Sequence, residues 1–170
     1  MLKPQDILAL VGLQVMLKSG HEVVTLSVLA AFIRLSGSET HAALARLEQS
    51  QLLDATALTL RKPSSGNFLE FAEHGLRYVY PAEYGPPMRG LPTAAALVPG
   101  LAAPDQPLVW PLERGDSCGP SVAALYRTVP EACASNKELH MAMAALDCLR
   151  VGRARERQAG LAVLKELFAP

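Results

Sequence analysis

Between Pro4 and Lys18 the chain is apolar on nearly every helical face. Ile7, Leu8, Leu10, Val11, Leu13, Val15, Met16 and Leu17 carry this pattern, with Asp6 and Gln14 as polar interruptions. A helix lying on a protein surface needs only one apolar stripe, so this helix is expected to be buried. Its cover is either the C-terminal helices of its own chain or a second subunit. Pro4 is acceptable in a first turn. The run is shorter than the ~20 residues that cross a bilayer. It is followed by no small-x-small cleavage site, which argues against a signal peptide. It therefore reads as the buried first helix of a soluble, unexported protein with no membrane partner.

Period and capping residues predict further helices. The second runs over about Leu26–Arg34 behind Thr25 as N-cap, and the third over about Ser38–Ser50. A strand is expected at Ala55–Leu60. Asn67 with Glu70 reads as a capping box opening a helix over Phe68–Val79, which must stop before Pro81. Ser135 with Glu138 reads as a second box, opening a helix that reaches about Arg150 and ends or bends at Gly152. The last helix spans Arg153–Phe168, with Leu161, Leu164 and Phe168 on one face.

Ten of the thirteen prolines lie in residues 81–130. Proline fixes φ and removes a donor, so this stretch cannot be helical throughout. It still carries much apolar surface, and short strands are expected near Arg89–Ala95 and Leu108–Glu113. The fold class expected is mainly α with a small β component. An N-terminal helical unit over about residues 1–80 leads through a Pro-rich extended segment at 81–130 into a C-terminal helical unit at 131–170. There is no internal repeat.

Composition narrows the classes. The chain has 170 residues and is 50% hydrophobic, about one domain by length and able to bury a core without a disulfide or metal. Sixteen Lys+Arg balance sixteen Asp+Glu, which excludes a uniformly basic nucleic-acid coat. The charge is uneven, at +1 over residues 1–62, −4 over 63–148 and +3 over 149–170. Nucleic-acid binding would have to use a local patch. Cys118, Cys133 and Cys148 are odd in number and not in ligand-like spacing, as expected of a reducing cytoplasm.

The stretch that carries chemistry is Thr25–Leu53, TLSVLAAFIRLSGSETHAALARLEQSQLL. Two helices are separated by a few small or polar residues. Ala30 sits where the helices cross. Ile33 and Leu35 flank the turn, Leu44 and Leu47 pack the second helix on the first, and Leu52-Leu53 lead out. This stretch resembles the helix-turn-helix of bacterial winged-helix regulators of the MarR-like and ArsR-like kind. It departs from their pattern at Arg34, where glycine is usual, and at Thr40, where a β-branched apolar residue is usual. The segments FLEFAEHGLRYVYP and ALDCLRVGRARERQAG also resemble uncharacterised bacterial proteins with an N-terminal winged helix.

The resemblance implies double-stranded DNA as partner, with the third helix in the major groove. Its outward residues would be Ser36, Ser38, Glu39, His41, Ala42, Ala45, Arg46 and Gln49. Glu39 would accept from a cytosine amino group, His41 donate to a purine N7, and Arg46 reach guanine or phosphate. Arg61 and Lys62, after the expected strand, would touch phosphates as a short wing. Arg150, Arg153 and Arg157 would share one face and hold phosphates if the helix continued through Gly152. A solvated or ion-paired face is the plainer reading of that cluster.

Tyr84, Arg89, Trp110, Arg114 and Tyr126 would give the Pro-rich layer an aromatic, cationic pocket for an acidic effector. Irregular structure covering the core is the plainer reading there. Cys118 would be reactive only as a helix N-terminal residue. The scattered histidines set up no metal site, and no cofactor motif, nucleophile elbow or phosphate loop is present. The function expected is sequence-specific DNA binding by a cytoplasmic transcriptional regulator, a homodimeric repressor rather than an enzyme. The effector, small molecule or protein, is left open. The alternative is a protein-interaction module, antitoxin or adaptor, that uses the same helices as scaffold. An enzyme built on the 81–130 pocket ranks last.

Overall fold

A computed structural model describes residues 1–54 and 61–170. The chain is about 54% helical with a small sheet component. The strand expected at Ala55–Leu60 lies outside the described residues.

Three helices open the chain: α1 (Pro4–Lys18), α2 (Leu26–Ile33) and α3 (Gly37–Gln49). Residues Ile7 to Val11 of α1 have no solvent exposure. The cover comes from the same chain, since α1 packs on α2, α3, α7 and α8. This removes the second subunit as the reason for its apolar surface. Its polar interruptions have partners. Gln14 Nε2 donates to the carbonyl of Leu167 at 2.8 Å, and Asp6 faces Arg46 of α3.

After α3, β1 (Leu53–Asp54) pairs antiparallel with β2 (Lys62–Pro63). Helix α4 (Ser65–His74) follows, and α5 (Leu76–Val79) continues it after Gly75. The helix opens earlier than the Asn67–Glu70 box predicts, behind Ser64. Asn67 instead donates from Nδ2 to the carbonyl of Gln51 at 2.7 Å. It ties the helix to the end of α3 and leaves the backbone of its own helix uncapped.

The Pro-rich stretch forms β3 (Tyr84–Pro92), β4 (Val109–Pro111) and β5 (Ser117–Val122), each paired with the other two. Strand β5 had no sequence signal. Cys118-Gly-Pro-Ser lacks alternation, and its pairing is supplied by β3, Met88 opposite Gly119 and Arg89 opposite Cys118. The register slips between Gly85 and Met88. Pro86 and Pro87 sit there and cannot donate to a ladder. The closure is so tight that a Cβ on Gly90 would strike the Trp110 carbonyl, and one on Gly115 would strike Gly90.

Helix α6 (Val129–Ala134) leads to α7 (Lys137–Val151) and α8 (Ala154–Leu167). The cap of α7 is Asn136, whose Oδ1 accepts from the Leu139 amide at 2.7 Å, one residue after the expected Ser135. A single apolar core joins α1, α3, α4, the strands, α7 and α8, so the three units named from sequence share one interior. Phe68 of α4 and Phe168, just past α8, stack within it at 4.5 Å. Among the described residues no helix is long and apolar enough to cross a membrane.

Candidate functional site

The two departures from the expected turn chemistry are both accommodated. Arg34 adopts the left-handed conformation, φ 59° and ψ 40°, which glycine would otherwise supply. Thr40 is fully buried and its hydroxyl donates to the Ser36 carbonyl at 2.9 Å, so its polar atom carries no desolvation cost. Ser36 caps α3 by accepting from the Glu39 amide at 3.2 Å, while Glu39 Oε2 accepts from the Ser36 amide at 3.2 Å. This is the reciprocal box that fixes where α3 begins.

Helical period then sorts the side chains of α3. With 3.6 residues per turn, Thr40, Ala43, Leu44 and Leu47 form the buried face. Ser38, His41, Ala45 and Gln49 are exposed and line the opposite face, with Ala42 half-buried beside them. Glu39 and Arg46 lie on one flank of this outward face, and Glu48 on the other beside His41.

Two residues expected to point outward do not. Arg46 folds over the flank and clamps Asp6, Nε to Oδ2 at 2.8 Å and Nη2 to Oδ1 at 2.6 Å. The Asp6 side chain has no exposure, so the guanidinium is held by a buried carboxylate, which pushes its pKa up further. The hydroxyl of Tyr80 is buried without a hydrogen-bond partner among the described residues and is pushed up to about 12, by burial and then by the Asp6 charge. Glu39 is occupied as well: Ser36 Oγ donates to Oε2 at 2.8 Å and Tyr126 Oη donates to Oε1 at 3.3 Å. The Ser36 bonds, then Tyr126 and Arg127, hold its carboxyl below the usual carboxylate range. The carboxylate is a helix cap rather than a free acceptor for cytosine.

On the far flank, Arg61 Nε donates to Glu48 Oε1 at 2.7 Å. Lys62, on β2, is exposed. The β1–β2 pair thus lies beside the His41 side of α3.

No family model, no curated protein and no solved structure matches the chain. Its function rests on this geometry.

The arginine cluster expected at 150–157 is dispersed. Gly152 is extended, φ −74° and ψ 156°, so α7 and α8 are separate helices and the three guanidiniums share no face. Arg150 is 4% exposed. It donates to Asp147 Oδ1 at 2.7 Å and to the carbonyls of Tyr80, Pro81 and Ala123. Arg157 donates to the Gly152 carbonyl at 3.1 Å. Arg153 alone stays exposed, its amide donating to Glu156 at the start of α8.

The expected effector pocket is dispersed too. Trp110 is buried, and its Nε1 donates to Asp147 Oδ2 at 2.7 Å. Tyr126 is turned to Glu39. Tyr84 is exposed on β3. Arg89 donates to the Gly115 carbonyl at 3.0 Å, and Arg114 pairs with Glu131. Arg114 does line an open groove of about 520 Å³, with Arg127, Glu113 and Glu131 among its neighbours. Cys118 is exposed on a strand rather than at a helix end. Cys133 and Cys148 are buried, and burial pushes the Cys148 thiol up to about 12. Among the described residues no group of three His, Cys, Asp or Glu side chains is placed to hold a metal ion.

One face of α7 clasps the strands. His140, Asp147 and Arg150 recur at near-helical spacing. His140 Nε2 lies 2.7 Å from the Pro92 carbonyl, its ring beside Trp110. Thr93 Oγ1 also donates to Asp147 Oδ2, at 2.9 Å. Burial lowers the His140 pKa, against the opposing pull of the Pro92 carbonyl and Asp116. A base depressed in the folded state binds more protons when unfolded, so stability rises with pH across its titration. Thermal melts of the wild type are therefore expected to weaken as pH falls below about 6.5. His140→Gln is expected to flatten that dependence. An unchanged slope in the variant would show that another group sets it.

Proposed function

We propose that the protein is a sequence-specific DNA-binding transcriptional regulator whose α1–α3 and β1–β2 elements form a winged helix-turn-helix. The observation that carries the reading is the outward face of α3. Ser38, His41, Ala45 and Gln49, with half-buried Ala42 among them, form an outward stripe that no described element covers, directly after a tight left-handed turn and beside a two-stranded pair bearing Lys62. Short polar side chains on an exposed helix allow a backbone approach that fits a major groove. His41 is the base-reading residue in this account, with Ser38 and Gln49 as secondary donors or acceptors. Two alanines in the stripe leave few direct contacts, so DNA shape contributes to selectivity. A two-fold operator calls for two copies of the chain, joined through a face other than α1. In this reading the protein acts as a repressor.

The test is a fluorescence-polarisation titration against the DNA upstream of its own gene, with a scrambled duplex of equal length as control. His41→Ala is expected to cost about 1–3 kcal/mol on the native duplex and much less on the scrambled one. Equal losses on both would remove His41 as a base reader.

One observation favours the protein-interaction reading. Arg46 on α3 and Arg61 beside it are engaged by Asp6 and Glu48. A stable protein partner recovered with the chain, together with no salt-dependent DNA binding, would favour that module over the regulator.

A further inference from the structure

We propose that Arg34 and Arg127 are DNA-backbone contacts beside α3, on the flank opposite Glu48 and Arg61. The inference rests on the DNA-binding reading and supplies the cationic contacts that Arg46 and Arg150 do not.

Three observations converge on Arg34 and Arg127. The first is the side-chain position of Arg127. Its guanidinium is 75% exposed and lies 3.7 Å from Glu39, too long for a hydrogen bond. Ser36 and Tyr126 satisfy the hydrogen bonds of Glu39, so Arg127 meets that carboxylate as a nearby charge and its N–H donors are left to other acceptors. The chain around Arg127 is fixed on both sides. Tyr126 bonds Glu39, and Thr128 Oγ1 donates to the Ile33 carbonyl at 3.0 Å. The arginine is therefore held next to the α2–α3 turn by its neighbours, with its guanidinium 5.7 Å from the centre of the Tyr126 ring.

The second observation is at Arg34. A non-glycine residue in the left-handed region costs about 1–2 kcal/mol. The exposed side chain recovers little of this, its polar contact being Nη2 to Ser135 Oγ at 3.5 Å. Gln51 and Ala94 share this region, so the strain alone assigns no role; what Arg34 offers is an exposed guanidinium with one weak polar contact beside the turn that opens α3.

The third observation is placement around the helix. Arg61 is held against Glu48 on one flank of α3, while Glu39, and with it Arg127, lies on the other; Lys62 faces a groove lined by Gln14, Lys18 and His21 instead. Arg34 and Arg127 beside an uncharged outward stripe match one of the two phosphate rows that border a major groove. Arginine forks take phosphate oxygens in bidentate fashion.

The test measures affinity for the upstream duplex and its scrambled control over a range of salt. The chains compared are the wild type, Arg34→Gln, Arg127→Gln and the double variant. Each single change is expected to reduce the slope of log K against log salt by about 0.9, and the double by about 1.8. The loss should be the same on both duplexes. Arg34→Lys and Arg127→Lys should keep the slope. Arg34→Gly separates binding from folding, because it is expected to raise the melting temperature while lowering the slope. A double variant that binds with the wild-type slope would overturn the phosphate contacts and leave the DNA reading standing. Wild-type protein that binds neither duplex would overturn both.

Discussion

Replacing Asp147 with alanine is expected to cost about 3–5 kcal/mol of folding stability, the range for removing one partner of a buried ion pair. The carboxylate is completely enclosed, and it accepts from Thr93, Trp110 and Arg150 at 2.7–2.9 Å. Its loss strands three buried donors at once, and the guanidinium among them carries a charge. At roughly 2–4 °C per kcal/mol for a chain of this size, the melting midpoint should drop by about 6–20 °C. Asp147→Asn is expected to fall between alanine and wild type. It keeps an oxygen for Trp110 and Thr93 but leaves Arg150 uncompensated. The clasp also defines where damage appears. Arg150 holds the carbonyls of Tyr80, Pro81 and Ala123, so the strands should lose protection before α1 does in hydrogen exchange. A loss under about 1 kcal/mol would mean that the carboxylate is not what joins the strands to α7.

Arg46→Ala is expected to act on folding, not on base choice. The residue sits in the helix proposed to enter the groove, yet its guanidinium is committed to Asp6. Removing it leaves a carboxylate with no exposure. Because Arg46 itself keeps 20% exposure, water enters part of the space, and the expected cost is about 2–4 kcal/mol, slightly below that of a fully buried pair. Any apparent DNA effect should vanish once affinity is referred to the folded fraction. A double-mutant cycle with Asp6→Ala measures the pair directly. A stability change within about 0.5 kcal/mol, the range of an ordinary surface substitution, combined with a selective loss on one duplex, would return Arg46 to the reading face.

Local signals in the chain fixed a good part of this fold. The first three helices follow from period and caps, because Thr25 and Ser36 bond amides three residues on. The burial of α1 follows from its all-round apolarity, and the structure selects its own chain as the cover. What the sequence hid was long-range pairing. Arg46 meets Asp6 across 40 residues and Tyr126 meets Glu39 across 87, and no local pattern marks either contact. The regular spacing of Arg150, Arg153 and Arg157 suggested a shared face because it assumed an unbroken helix, whereas Gly152 turns the chain between two helices. Strand β5 exists only through its partners, since glycine and proline deny it a period. The candidate stripe on α3 was legible in its uncharged members, while its charged members were drawn inward by ion pairs and caps.

The most direct test of the account is a chemical-shift map of the isotopically labelled protein as duplex DNA from upstream of its gene is added. The expected result is that the largest changes fall on amides of residues 36–49 and on Lys62, with smaller ones near Arg34 and Arg127, and that a scrambled duplex gives weaker changes in the same places. Changes confined to β3 and β5, or no changes at low salt, would contradict the proposal that the outward face of α3 meets DNA.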